Sequence, residues 1–413
     1  MPLIPITLSL KVFCPDMTAG TENGGRADIV ARIVQSIGDI PREHWDACAG
    51  NVDPFLSHAF LKALEDSECV HARTGWGPVH LLLDDTNGGP PAGCVPLYVK
   101  SHSRGEFVFD YGWADAYERA GGRYYPKLLS AIPFTPATGP RLLVREGLDK
   151  ITVRRQLAAG LIGAAKHLNI ATVSVNFLPE EEWDVLEDAD YLKRADQQFH
   201  WYNQDYSSFD NFLDDLSSRK RKNIRKERRG ALENGIEIEW LVGSDIREEH
   251  WDAFFNFYVD TGSRKWGQPY LNREFFSLIT ESMADRVLLI MCSRQGRHIA
   301  GALNLIGSDA LFGRYWGCIE DHPFLHFEVC YYQAIDFAIQ QGLGRVEAGA
   351  QGPHKIARGY RPTRTHSAHY IRDTGFRQAV ADYLKHERVE VGNDIEYLSD
   401  RGPFRKGERP SLD

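Results

Sequence analysis

Apolar and polar residues along this chain fall into two periods, and the same succession of periods occurs twice. In the first half, "ADIVARIVQSI" (27–37) alternates with a period of two and is followed by an amphipathic stretch around "EHWDA" (43–47). Next come "VHLLLDD" (79–85), "AGCVPLYVK" (92–100) and "EFVFDYGW" (106–113), then a long stretch of helical spacing, "ITVRRQLAAGLIGAAKHLN". "IATVSVNF", a short helical segment and "QQFHWYN" complete the half. The second half repeats the succession with "IEIEWLV", a helix around a second "EHWDA" (249–253), "RVLLIMCS", "HIAGALNLIG", "ALFGRYWG", "FEVCYYQAIDFAIQQGLG", "RVEAGA" and "HSAHYIRD". A period of two predicts strands with one buried face, and a period near 3.6 predicts helices that bury one stripe. Gly-containing stretches such as "TNGGPPAG" and "RQGRH" supply the turns. Each half therefore reads β, α, β, β, β, α, β, α, β: an α/β (α+β) fold with a mixed sheet flanked by helices.

The two copies are in tandem. "EHWDA" recurs at an offset of 206 residues, and "VHLLLDD" and "AGCVPLY" align with "VLLIMCS" and "AGALNLI" at an offset of 208. The first copy carries an insertion that includes "RYYPKLLSAIPFTPATGPRLL" (123–143). A chain of 413 residues exceeds the usual size of one hydrophobic core. The expected organisation is an extension over 1–26, a first domain over 27–205, a basic helical connector over 206–234, a second domain over 235–388 and a tail over 389–413.

Composition narrows the class. Hydrophobic content of 43% with 25% charged residues is that of a globular protein, and no run approaches the roughly 18 apolar residues of a membrane helix. Membrane insertion is not expected. Seven scattered cysteines without a CxxC pair argue against a disulfide framework or zinc site and point to a reducing cytoplasm. A net charge of −9 disfavours a surface that binds nucleic acid everywhere, yet "RKRKNIRKERR" (219–229) holds eight cations and one carboxylate, Glu227. That run is either a solvated connector or a phosphate-binding helix, with Arg219, Lys220, Arg221, Lys222, Arg225 and Lys226 as its contacts.

The strings "PLYVKSHSRGEFVFDYGWADAYERAGGRYYPKLLSAIPFTPATGPRLL", "GRYWGCIEDHPFLHFEVCYYQAI" and "EAGAQGPHKIARGYRPTRTHSAH" resemble the FemAB-like peptidoglycan biosynthesis/recognition family, a branch of the GNAT acyl-CoA N-acyltransferase superfamily. The resemblance runs from residue 27 to residue 388. It implies two tandem GNAT-like domains that transfer an acyl or aminoacyl group to an amine on a small molecule or cell-wall precursor. The donor it implies is aminoacyl-tRNA or acyl-CoA, with no tightly bound cofactor. Between "GRYWG" and "FEVCYYQ", where a CoA-dependent GNAT enzyme carries a glycine-rich pyrophosphate loop, this chain has "CIEDHPFLH". Without glycine the backbone nest for a pyrophosphate is missing, which favours the tRNA-borne donor. An acetyl-CoA enzyme with an atypical site and a non-catalytic recognition module are the alternatives.

Candidate chemistry concentrates in the second copy. Amine acylation needs a proton acceptor, and Glu328, His326 and His354 are candidates. Strand alternation puts Arg314 and Trp316 on one face and Tyr315 on the other. "GAQGPHKIARGY" (349–360) parses as a strand end, a short helix begun by Pro353 and a stop at Gly359. There Gln351, Lys355, Arg358 and Arg361 could face an anion, although any tight turn would satisfy the same backbone pattern. His366 and His369 point to opposite strand faces, so no metal is expected.

Overall fold

A computed structural model describes residues 30–405, apart from 86–87, 266–268 and 350–351. The extension 1–26, the end of the tail and Gln351 therefore lie outside the described residues. The chain forms two compact units: one runs to Ala195 and takes up Thr365–Arg388, and the other comprises Asp196–Arg364 and the chain from Val389 on. The units divide after Ala195 and Arg364, where the sequence suggests 205 and 234, because the last strand of each half pairs with the other half of the chain; the division after Arg388 is the same in both.

In the first unit, Ala31–Val34, His80–Leu83, Gly93–Val95 and Leu143–Val144 make a four-stranded antiparallel sheet in that order. A second ladder runs through Trp76–Pro78, Tyr98–Lys100, Lys127–Ser130 and Thr172–Leu178, and ends on residues 366–371 of strand Arg361–Ile371. Helix Lys150–His167, capped by the Asp149 carboxylate on the Thr152 amide, buries Leu157, Ala158 and Leu161 against Leu81, Val95 and Val173. The predicted strand over "EFVFDYGW" does not form. Residues 106–110 are irregular and Tyr111–Arg119 is a helix. The insertion supplies the missing strand instead, since Lys127–Ser130 runs parallel to Thr172–Leu178.

In the second unit the order is Ile236–Val242, Val287–Arg294, Arg297–Ile306, Ala310–Cys318, Arg345–Glu347 and then His200–Tyr202 of strand Leu192–Tyr202. Every pairing is antiparallel except that of Ala310–Cys318 with Arg345–Glu347. Leu288, Ile290, Ala302, Val329, Ile335 and Val346 form its core with the helices. The repeated "EHWDA" lands on equivalent helices, Arg42–Ala49 and Glu248–Lys265, and both tryptophans are fully buried. Each indole N–H finds an oxygen, Trp45 on the Leu56 carbonyl and Trp251 on the Thr280 hydroxyl. A large ring with a satisfied donor is what keeps this residue at the same point of both cores.

Candidate functional site

Two irregularities of strand Ala310–Cys318 coincide. Against Arg297–Ile306 the register shifts, Leu303 facing Tyr315 and Asn304 facing Gly313, so Arg314 is the extra residue of a β-bulge. On the other side its parallel pairing ends at Phe312 with Glu347, and the two strands part. The fork and bulge open a pocket of about 120 Å³ lined by Ala302, Leu303, Asn304, Gly313, Arg314, Tyr315, Trp316, His326, Cys330, Tyr331 and Ala348. Because of the bulge all three residues 314–316 reach the lining, in place of the alternation expected of a regular strand.

The helix that closes the fork is irregular as well. Residues Glu328–Tyr332 form a π-turn between Leu325–Phe327 and Gln333–Gln340, a feature that often marks functional sites. Tyr331 faces the pocket, and its hydroxyl lies 3.0 Å from Nε2 of His354. His354 is exposed, yet partial desolvation, then the cations Arg358 and Lys355, hold its imidazole below its ordinary pKa, while burial pushes the Tyr331 phenol up. At neutral pH the phenol is protonated and the imidazole neutral, so the phenol donates to Nε2 in the tautomer that carries its proton on Nδ1. His326 packs edge-on against Trp316 and Tyr331, at 5.5 Å from each ring, and completes an aromatic wall.

Glu328 turns out of the pocket. Its Oε1 accepts from Arg228 of the basic helix at 3.0 Å and from Gln333 at 2.7 Å, and burial raises its pKa against the pull of Arg228. Segment Pro353–Arg358 is a 3-10 helix stopped by Gly359 in the left-handed region, and its cations are turned inward. Lys355 donates to the carbonyls of Ala348 and Gly349 at 2.6 and 2.9 Å, and burial lowers its pKa to about 8. Arg358 donates to the His354 carbonyl and to Glu227, at 2.8 and 2.9 Å, with its guanidinium 3.5 Å over the Phe327 ring. Arg361 lies over Phe404. Lys355 and Arg358 brace the segment that carries His354, and none of the three cations lines the pocket.

A family model, FemAB-like and described as peptidoglycan biosynthesis/recognition, matches residues 36–406. The chain belongs to the FemAB-like family. Among solved structures this FemAB-like chain is similar to FemX, with a TM-score of 0.51 at 13% identity, covering 83% of this chain and 98% of that one. It also matches L-PGS from Bacillus licheniformis (TM-score 0.48, 10% identity, 86% and 98% covered). A tandem GNAT protein from the clavulanic acid biosynthesis pathway matches as well (TM-score 0.45, 10% identity, 83% and 99% covered). No curated protein matches the chain significantly. The fold is thus like that of FemX, with mixed, mostly antiparallel sheets flanked by helices.

The basic run of this FemAB-like chain is helix Ser218–Ala231. Arg221 and Arg225 pair with Asp214 and Asp210, Arg228 pairs with Glu328 and Asp336, while Arg219, Lys222, Lys226 and Arg229 are exposed. Lys220 is half-buried. Sequence reasoning passed over Tyr331, Asn304 and Glu227. For Tyr331 the signal was only a tyrosine pair in "EVCYYQ", which a regular helix would have aimed elsewhere. Among the described residues no cluster of three or more His, Cys, Asp or Glu could hold a metal ion, and no helix is long and apolar enough to cross a membrane.

Proposed function

We propose that the second unit is an N-acyltransferase site that moves an acyl or aminoacyl group onto an amine of a cell-wall precursor. The observation that carries this reading is the pocket in the strand fork, with Tyr331 on its lining and His354 within hydrogen-bond distance of the Tyr331 hydroxyl. The family's description supports the precursor class. The acyl carbonyl enters the fork beside the bulge, where the Arg314 guanidinium and strand backbone face the oxygen that gains charge as the amine attacks. As the carbon–nitrogen bond forms, Tyr331 takes the amine proton and passes its own to His354. Collapse of the tetrahedral adduct then breaks the bond to the donor's oxygen or sulfur, which takes the Tyr331 hydroxyl proton as His354 returns its own to Tyr331. Glycine-free Ile319–Phe324 supports an aminoacyl ester on tRNA over acyl-CoA as the donor.

Calorimetry with CoA and with charged tRNA at two salt concentrations separates the donors; tight, salt-insensitive CoA binding would sink the tRNA version. With a transferable donor and an amine acceptor, Tyr331→Phe and His354→Ala are each expected to slow transfer by about 10²-fold or more. Unchanged rates in both variants would remove the site from consideration.

A further inference from the structure

The exposed face of the basic helix has chemistry that acyl transfer does not use. At about 100° per residue, Arg219, Lys222, Lys226 and Arg229 fall within an arc of roughly 80° and form one row about 15 Å long. All four are exposed, and among the described residues none has a side-chain ion pair or hydrogen bond. The other arginines of the helix are spent on Asp210, Asp214, Glu328 and Asp336. Apolar groups flank the row's C-terminal end. Leu232 follows Arg229 by three positions and is 44% exposed. On the other flank, Phe324 packs its ring over Gly230 and is 37% exposed. Phe324 holds the left-handed backbone region, with φ of 65°, a strained conformation for a bulky residue that here keeps an aromatic ring at the surface.

We propose that this face docks on an anionic lipid surface, the four cations meeting headgroup phosphates while Leu232 and Phe324 enter the boundary with the acyl chains. A cationic row beside exposed apolar groups suits such an interface, where charge and burial add. RNA would use the cations alike, but it gives an exposed leucine nothing to enter, and no aromatic residue interleaves with the row for bases to stack on. The chain's net charge of −9 repels an anionic surface elsewhere and so orients the approach.

The test is flotation of the full chain with phosphatidylcholine vesicles that contain phosphatidylglycerol, and with phosphatidylcholine alone, at low and high salt. Binding to the anionic vesicles only, weakened by salt, is expected. Combined Arg219→Gln, Lys222→Gln, Lys226→Gln and Arg229→Gln should weaken it by about tenfold or more. Leu232→Ser with Phe324→Asn, a residue that accepts the left-handed region, should weaken it severalfold and remove whatever binding survives salt. Tryptic cleavage at Lys222 and Lys226 of the unaltered chain gives a readout that needs no variant, and anionic vesicles should protect both bonds. No binding to anionic vesicles, equal binding to neutral ones, no protection, or full binding by the four-glutamine variant overturns the proposal. Bulk tRNA bound through the four cations, with vesicles ignored, would assign the face to RNA instead.

Discussion

Glu227 stands alone among eight cations in its stretch of sequence, and its contacts explain why an acidic residue sits there. It accepts from the Tyr332 hydroxyl and from Arg358, so one carboxylate ties the basic helix to the π-turn that bears Tyr331 and to the segment that bears His354. Glu227→Gln would leave the nearly buried Arg358 without its anion, and a loss of about 2–4 kcal/mol in urea unfolding is expected. Glu328→Gln is expected to lower stability too, by about 1–3 kcal/mol, but to slow transfer less than tenfold, because its Oε1 is engaged by Arg228 and Gln333 while His354 is the group bonded to the lining Tyr331. A rate loss as large as that of His354→Ala would restore Glu328 as the base. The pH profile separates them by sign. An imidazole held below its ordinary pKa accepts the Tyr331 proton only when neutral. Transfer should therefore rise with pH through a midpoint under about 6.5 and be level at neutrality, with the acidic limb gone in His354→Ala. The sequence showed which residues near 328 and 354 could carry protons. It could not show that the helix between them adds a residue to one turn, and that single step aims Tyr331, and not Glu328, at the fork.

At the scale of elements, the first strands of the second half were legible almost to the residue: "IEIEWLV" is Ile236–Val242 and "RVLLIMCS" is Val287–Arg294 within one position at each end, whereas "RVEAGA" keeps only Arg345–Glu347 and "HSAHYIRD" lies in a strand that starts at Arg361. "EFVFDYGW" failed for a physical reason. Alternation reports which side chains are buried, and Val108 and Glu106 are, yet the sheet edge beside Thr172–Leu178 is already taken by Lys127–Ser130. The bulge was equally hidden, since an extra residue leaves no mark on composition. Glycine spacing within strand Ala310–Cys318 does carry a testable consequence. A Cβ on Gly317 would lie 2.3 Å from the Phe257 backbone, so this glycine lets helix Glu248–Lys265 rest directly on the strand. At Gly313 the nearest atom would be Asn304 Oδ1 at 3.5 Å, an ordinary contact. Gly317→Ala should cost about 3 kcal/mol or more in thermal unfolding, and Gly313→Ala under about 1 kcal/mol. Equal effects would show that the helix does not sit against the strand in this way.

For the whole molecule, the repeat was visible but the exchange of strands was not, because both final strands alternate alike and pairing partners leave no local signature. The consequence lies in how each unit is held. In the first, strand Thr172–Leu178 is buried along its whole length and pairs on one side with residues 366–371, nearly 200 positions later in the chain. Trp183 donates to the Ser367 carbonyl at 2.8 Å, the His369 ring lies 2.9 Å from the Ser174 hydroxyl, and Arg194 binds Glu387 at 2.8 Å. Ile371, Val380 and Leu384 add an apolar cluster. A fragment of residues 30–205, the described part of the domain expected over 27–205, keeps its helices but exposes an apolar strand edge and loses these contacts. An unpaired edge of that kind favours aggregation over a cooperative fold. The fragment should give no sharp thermal transition by circular dichroism, whereas the same fragment joined through a flexible linker to residues 365–388 should melt cooperatively. A sharp transition in residues 30–205 alone would mean that the late strand is an accessory of the first unit and not part of its core.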